Sequence, residues 1–334
     1  MSKAITALCL ALALGAVAGA GAASRPAQEP GIRIDTVVKV RGLAWFERMR
    51  DGIEQFASRR GIETTFRAAP DASPAKQVRL VRRLIAQRPD AITVVPNSPA
   101  ALERVLARAR RAGIVVVTHE ASNQRNTDVD IEAFDNRAFG AHLMDKLAAC
   151  MGGSGSYVAF VGHRSAESHM EWVRAARGRA EARYPAIERI GGPIESLEDK
   201  ETAYGRAKAV LAEHPGIEGF QSSSAAGAAG IARAVREAGR QDTTCVMGTS
   251  SPRTVGDYLF DGSVDMIFLW DPATAGKAQY KLALRLLAGR RVGPGLDLHL
   301  PGYRNLKKIK GSPHGLRGSA WIDVNRSNAD QYPF

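Results

Sequence analysis

The chain has 334 residues, 45% of them hydrophobic, with 46 Lys and Arg against 34 Asp and Glu for a formal net charge of +12. That composition belongs to a folded globular protein and excludes a disordered or fibrous one. The positive balance invites a nucleic-acid reading, but Arg79, Arg82 and Arg83, then Arg104, Arg108, Arg110 and Arg111, recur at helical spacing as solvated outer faces; nucleic acid is not an expected partner.

The first segment, residues 1–23, places one Lys before an apolar run and ends in small residues spaced Ala-x-Ala. It reads as a secretory signal peptide cleaved near Ala20 to Ala23, too short to span a bilayer. Cys9 lies inside the apolar run without the arrangement lipid attachment needs. The mature chain is therefore expected as a soluble exported protein. At about 310 residues it is longer than one compact core usually holds, which points to two domains. Cys150 and Cys245 remain after cleavage, in a compartment where disulfides persist; a bridge and two buried thiols are both open.

Beyond the leader, short β-branched apolar runs alternate with stretches of helical period, the pattern of βα units around a parallel sheet. Strands are expected at Ile32–Val40, Thr64–Arg67, Ala91–Val95 and Val115–His119, followed by an extended link at Asp130–Asp135. A second series follows at Tyr157–Val161, Glu188–Ile190, Gly219–Gln221, Thr244–Met247 and Asp265–Trp270. Helices begin near Ala44, Pro74, Pro99, Asn136, Ser168, Lys200, Ala225, Pro252 and Pro272, several of them opened by Ser, Asn or Pro. The fold class is α/β: two doubly wound parallel-sheet lobes.

Such sheets bind ligands beyond the carboxyl ends of their strands. The candidates there are Lys39 with Trp45 and Phe46; Asn97; His119 and Glu120; the stretch from His163 to His169, with Ser168 and His169 foremost; Ser222 and Ser223; Thr249 and Ser250; and Trp270 with Asp271. Trp172 joins them as a fourth aromatic. This is the mixture a sugar needs, since a ring face packs on its C–H face while carboxylates, amides and hydroxyls bond to its hydroxyls. No nucleophile elbow, Walker loop, dinucleotide fingerprint or zinc-protease motif is present. No cofactor, no metal and no catalytic residue is expected. An enzyme using Glu120 and His169 as acid and base would need a nucleophile motif that the chain lacks.

Several stretches carry a family resemblance: VVKVRGLAWFERMRDGI, ITVVPNSP, SHMEWVRAARG, VMGTSSP, FLWDPATAGKAQY and the ending DQYPF. With the leader and the two lobes, they make the chain similar to the periplasmic solute-binding proteins of ABC transporters, in the branch of autoinducer-2-binding and rhamnose-binding proteins, with ribose-binding proteins more distant. The resemblance implies a type I binding-protein fold whose lobes are joined by a three-strand hinge. The first lobe takes 31–130 plus 270–296, the second 131–269 plus 297–334.

By position, Lys39 matches the ligand-contacting lysine of the autoinducer-2 binders, and Trp45 and Phe46 match the paired aromatics of the ribose binders. Glu120 stands where both groups place an aspartate. Ser168 and His169 replace an Asp-Gln pair, Ser222 replaces a proline, and Ser250 stands where ribose binders carry another aspartate. Those exchanges remove acceptors and count against autoinducer-2, because buried hydroxyls of a furanosyl ligand would lack partners. The implied function is a monomeric periplasmic receptor for a small sugar or sugar-like solute, which it delivers to a membrane permease. An autoinducer-2 binder with a diverged site is the alternative.

Overall fold

The structure is a computed structural model describing residues 31–334, so the leader expected over residues 1–23 lies outside the described residues. In chain order the first half runs β1 (Arg33–Val38), α1 (Ala44–Ser58), β2 (Glu63–Ala68), α2 (Pro74–Ala86), β3 (Ala91–Val94), α3 (Pro99–Arg111), β4 (Val115–His119) and β5 (Val129–Glu132). The second series runs α4 (Asn136–Cys150), β6 (Gly155–Val161), α5 (Glu167–Arg183), β7 (Ile187–Arg189), β8 (Ile194–Glu195), α6 (Lys200–Glu213), β9 (Gly219–Ser222), α7 (Ala225–Glu237), β10 (Cys245–Thr249), α8 (Pro252–Val255) and β11 (Met266–Leu269). It closes with α9 (Pro272–Leu287), β12 (Lys307–Lys308), β13 (Gly315–Arg317) and β14 (Ile322–Val324).

The helices start where their caps dictate. Ser73, Ser98, Asp135, Asp199, Ser224 and Asp271 each accept a backbone N–H of the first turn, and α2, α3 and α9 carry Pro at its start. Central strands such as β3 and β9 are buried along their whole length, as parallel strands covered on both faces must be.

The strands form two sheets. The first has the order β12-β13-β5-β4-β3-β1-β2 and the second β14-β11-β10-β9-β6-β7, with β8 also on β6; all pairs are parallel except β12 with β13 and β11 with β14. The chain passes between the sheets three times, after β5, after β11 and after β13. Helix α9 follows a strand of the second sheet yet packs on the first, where the Tyr280 hydroxyl donates to the Ile34 carbonyl oxygen at 2.9 Å. It lies so close to α1 that a Cβ on Gly52 would sit 2.5 Å from the Ala273 backbone.

Two expectations change. The extended link is a strand: β5 pairs with β4 and β13 in the first sheet, so the chain leaves that sheet after Glu132 rather than at Asp130. The tail from Asp297, assigned above to the second lobe, supplies β12 and β13 to the first sheet, and only β14 joins the second. The reason is an open edge: β13 pairs with Asp130–Glu132 and satisfies backbone that β5 would otherwise expose. Leu298, Tyr303 and Leu306 anchor the tail by burying their side chains in the core. The choice left open for the cysteines is settled, because Cys150 and Cys245 are bonded, tying the end of α4 to the start of β10 across 95 residues.

Candidate functional site

The carboxyl ends of both sheets face each other across a cleft. From the first sheet come Lys39 after β1 and Glu120 after β4. From the second come His169 in the first turn of α5, Ser223 after β9, Thr249 at the end of β10 and Trp270 after β11. Trp45, Phe46 and Trp172 supply further rings, and Leu43, Glu198 and Ala225 complete the lining.

At the centre the Lys39 ammonium donates to Glu120 Oε2 at 2.7 Å, with the two side chains 3% and 4% exposed. Such burial is tolerable only for paired charges. Desolvation works against the Lys39 cation, but the charges of Glu120 and Glu198 outweigh it and hold its pKa above the ordinary value. Desolvation likewise opposes the Glu120 carboxylate, and the charge of Lys39 with the hydrogen bonds from Lys39 and Ser168 holds its pKa below the ordinary value. Glu120 adopts φ 60°, a left-handed conformation that swings its side chain back toward Lys39.

His169 has a defined tautomer. The Gly162 backbone N–H donates to its Nδ1 at 3.0 Å, so the ring proton sits on Nε2. Burial, then the charge of Lys39, pushes its pKa well below the ordinary value, and the ring is neutral. Nε2 lies 3.3 Å from the Lys39 nitrogen, which sets two donors side by side with no acceptor between them. The nearest carboxylate oxygens on the other side, from Glu120 and Glu198, are 4.0 and 3.9 Å away. Two donors and two acceptors thus surround one small space.

The rings form a continuous wall. Trp45 meets Trp270 edge to face at a centroid distance of 4.7 Å, and Trp172 stacks on His169 at 5.3 Å. His119 holds this wall from behind: its Nδ1 bonds the Ile131 carbonyl oxygen, leaving Nε2 to accept from Trp270 Nε1 at 3.2 Å. Trp172 Nε1 donates to Asn136 Oδ1 at 2.8 Å.

Of the residues expected at the site, Lys39, Trp45, Phe46, Glu120, His169, Trp172, Ser223, Thr249 and Trp270 line the cavity. The others stand behind it. Asn97 donates to the Lys39 carbonyl oxygen at 3.0 Å, and Ser168 donates to Glu120 Oε2 at 3.3 Å. Ser222 and Ser250 donate to the carbonyl oxygens of Ser224 and Ala225. Asp271 is a helix cap whose carboxylate also takes Arg48 at 2.9 Å. Leu43, Glu198 and Ala225 line the cavity without having been expected there. For Glu198 a signal existed in the stretch after β8, at the carboxyl end of a strand too short and too mixed in character to be recognised.

The lobes also meet directly. Ser165 Oγ donates to the Asn97 carbonyl oxygen at 3.0 Å, Ser122 Oγ to Glu171 Oε2 at 3.1 Å, and Asn123 Nδ2 to Glu167 Oε2 at 2.9 Å. The cavity they enclose measures about 20 Å³, room for a single water. The structure is therefore closed, and a solute enters only if the lobes part.

Two lobes joined by three crossings around a buried cleft of rings and polar groups are the architecture of a two-lobed solute-binding protein of the ribose-binding type. The chain belongs to the periplasmic binding protein family: the family model described as "Periplasmic binding protein domain" matches residues 34–291. It is 28% identical over 273 residues to the D-ribose/D-allose-binding protein of Pseudomonas aeruginosa, covering 77% of this chain and 83% of that one. It is 25% identical to the D-allose-binding periplasmic protein of Escherichia coli, with 74% and 81% covered. These relatives are binding proteins, not enzymes. Among solved structures, a solute-binding protein of Clostridium phytofermentas with bound L-rhamnose superposes with TM-score 0.84 at 19% identity, covering 91% of this chain and 98% of that one. LsrB from Clostridium saccharobutylicum in complex with AI-2 superposes with TM-score 0.83 at 18% identity, covering 91% and 100%. These two establish the fold.

Proposed function

We propose that this chain is the periplasmic receptor of an ABC transporter, exported by its leader, which binds a small sugar or sugar-like solute as a monomer and hands it to a membrane permease. One observation carries this reading: aromatic faces and unmatched polar groups converge at the strand ends between the lobes, in a family whose curated relatives bind ribose and allose. Trp45 and Trp270 supply the stacking faces, and Lys39, Glu120 and His169 supply the polar contacts. A hydroxyl oxygen set beside the Lys39 and His169 donors satisfies both at once.

Transport requires two states. Opening breaks the partly exposed Ser165–Asn97, Ser122–Glu171 and Asn123–Glu167 bonds together with the buried Ser168–Glu120 bond. Solute favours the closed state only through contacts it makes to both lobes at once.

The test is a thermal-shift screen of the purified protein against pentoses, hexoses, deoxyhexoses, polyols, autoinducer-2, amino acids and other non-sugar solutes. A ligand that binds only the folded state raises the melting temperature. A shift with one sugar, reproduced by calorimetry, is the expected result; a shift only with amino acids or other non-sugar solutes overturns the sugar assignment, and a shift with autoinducer-2 alone replaces it.

A further inference from the structure

Glu198 is the cavity-lining carboxylate for which the reading above has no task. It follows β8, where the Ser196 and Leu197 backbone N–H groups bond to the Val161 and Gly162 carbonyl oxygens at 2.7 and 2.9 Å. Leu197 and Glu198 then take φ 57° and 54°, two consecutive left-handed residues, a conformation that side chains other than glycine adopt only when the surroundings impose it. The chain turns sharply here and delivers a carboxylate into the cleft.

Each oxygen has its own place. Oε2 accepts the Ser224 hydroxyl at 2.7 Å, and that hydroxyl oxygen caps α7 through the Gly227 N–H. Oε1 accepts no hydrogen bond among the described residues and lies 3.9 Å from the protonated Nε2 of His169. It also stands where a Cβ on Gly162 would be, 2.1 Å away, so glycine at that position is what admits it. The side chain is only 4% exposed. A solute hydroxyl placed about 2.8 Å from each group donates to Oε1 and accepts from Nε2.

The charges point the same way. Among the described residues Lys39 is the one cation lining the cavity, and Glu120 already occupies it at 2.7 Å. His169 is neutral. Burial pushes the Glu198 carboxyl above the ordinary range while Lys39 opposes that shift. An incoming carboxylate or phosphate would be a third acidic group beside a single ammonium.

Resting on the sugar reading, we infer that Glu198 is a direct solute contact and makes the cleft select neutral sugars against sugar acids and sugar phosphates. Ser224 explains why Oε2 is held, while Oε1 is left at the cleft wall facing a donor it does not reach, open to a solute hydroxyl.

The experiment measures matched pairs by calorimetry: D-ribose with ribose 5-phosphate, D-allose with allose 6-phosphate, and D-galactose with D-galacturonate. In the wild type the neutral member of any pair that binds is expected to be at least about 100-fold tighter than its anionic partner, as like-charge juxtaposition dictates. Glu198→Gln keeps the shape and the Ser224 partner. It is expected to weaken the neutral sugar about 10-fold, the loss of a charged hydrogen bond, and to narrow the neutral-to-anion ratio. An anion that binds the wild type as tightly as its neutral partner overturns the assignment and leaves the sugar reading standing. So does a Glu198→Gln variant with a lowered melting temperature but both affinities and their ratio unchanged, since a purely structural residue behaves that way. Silence across every pair and the wider sugar screen overturns both together.

Discussion

Lys39 and Glu120 form their 2.7 Å ion pair from loops at the ends of two non-adjacent strands of the same sheet. Both charges of the pair come from one lobe, and the other lobe brings the Ser168 hydroxyl to Glu120 at 3.3 Å and His169 to Lys39 at 3.3 Å. Binding and closure are separable in this arrangement: one lobe fixes the charges, and the second completes the ring of donors and acceptors.

Lys39→Met leaves the Glu120 carboxylate buried without its cation. The expected cost is about 3 kcal/mol of folding stability together with most of the solute affinity. The double variant Lys39→Met/Glu120→Leu is expected to recover most of the stability and none of the affinity. Urea unfolding and calorimetry on the three proteins check this, and a double variant no more stable than the single one refutes it. The Glu120 carboxyl is held below its ordinary pKa, so its share of stability is present above the unfolded value and is lost as pH falls through the folded one.

Of the four tryptophans, Trp45, Trp172 and Trp270 line the cavity. Lobe separation on solute release exposes them to water, so intrinsic emission is expected to change in proportion to occupancy. Trp45→Ala is expected to lower affinity at least about 10-fold, because an aromatic face in direct contact carries an outsized share of binding energy. It also removes the edge-to-face partner of Trp270, so a lower melting temperature accompanies it. Titration of both proteins with the sugar found by thermal shift decides the matter: unchanged affinity returns Trp45 to the role of a packing residue.

The βα alternation and most helix starts were legible because hydrophobic period and capping residues are local properties. Strand β5 was not, because half of its residues, Asp130 and Glu132, are acidic and buried, and their burial depends on the tail that covers them. The tail's own strands are two or three residues long, too short for any period. At the site, Lys39, His169 and the rings were legible from their place after strands. Glu198 was hidden by a backbone turn that no neighbouring glycine announces. Conversely, Asp271 before Pro272 is the ordinary signature of a helix start, and capping is what it does.

The Cys150–Cys245 bond closes a loop of 95 residues within the second lobe. Cross-linking a loop of that length removes disorder from the unfolded chain and is worth about 2–4 kcal/mol. Cys150→Ser/Cys245→Ser is expected to lower the urea midpoint by a corresponding amount while the solute affinity, set at the opposite end of the strands, stays within about 2-fold. A collapse of affinity with unchanged stability would contradict this separation.

Asp130 gives the fold a pH dependence of definite sign. Its side chain is buried beside Glu132, accepts the Thr118 hydroxyl at 2.8 Å, and burial pushes its pKa from 3.8 up to about 7. Between those values the folded chain holds a proton that the unfolded chain releases, so stability falls as pH rises through the window and levels off above it. Burial and the charge of Asp130 push Glu132 the same way, so the pair acts together. Asp130→Asn preserves an acceptor for Thr118 and removes one of the two titrations. The expected result is a melting temperature above that of the wild type at pH 8, with the gap shrinking toward pH 4. Melting curves that run parallel across this range would mean that Asp130 titrates alike in the folded and unfolded chains.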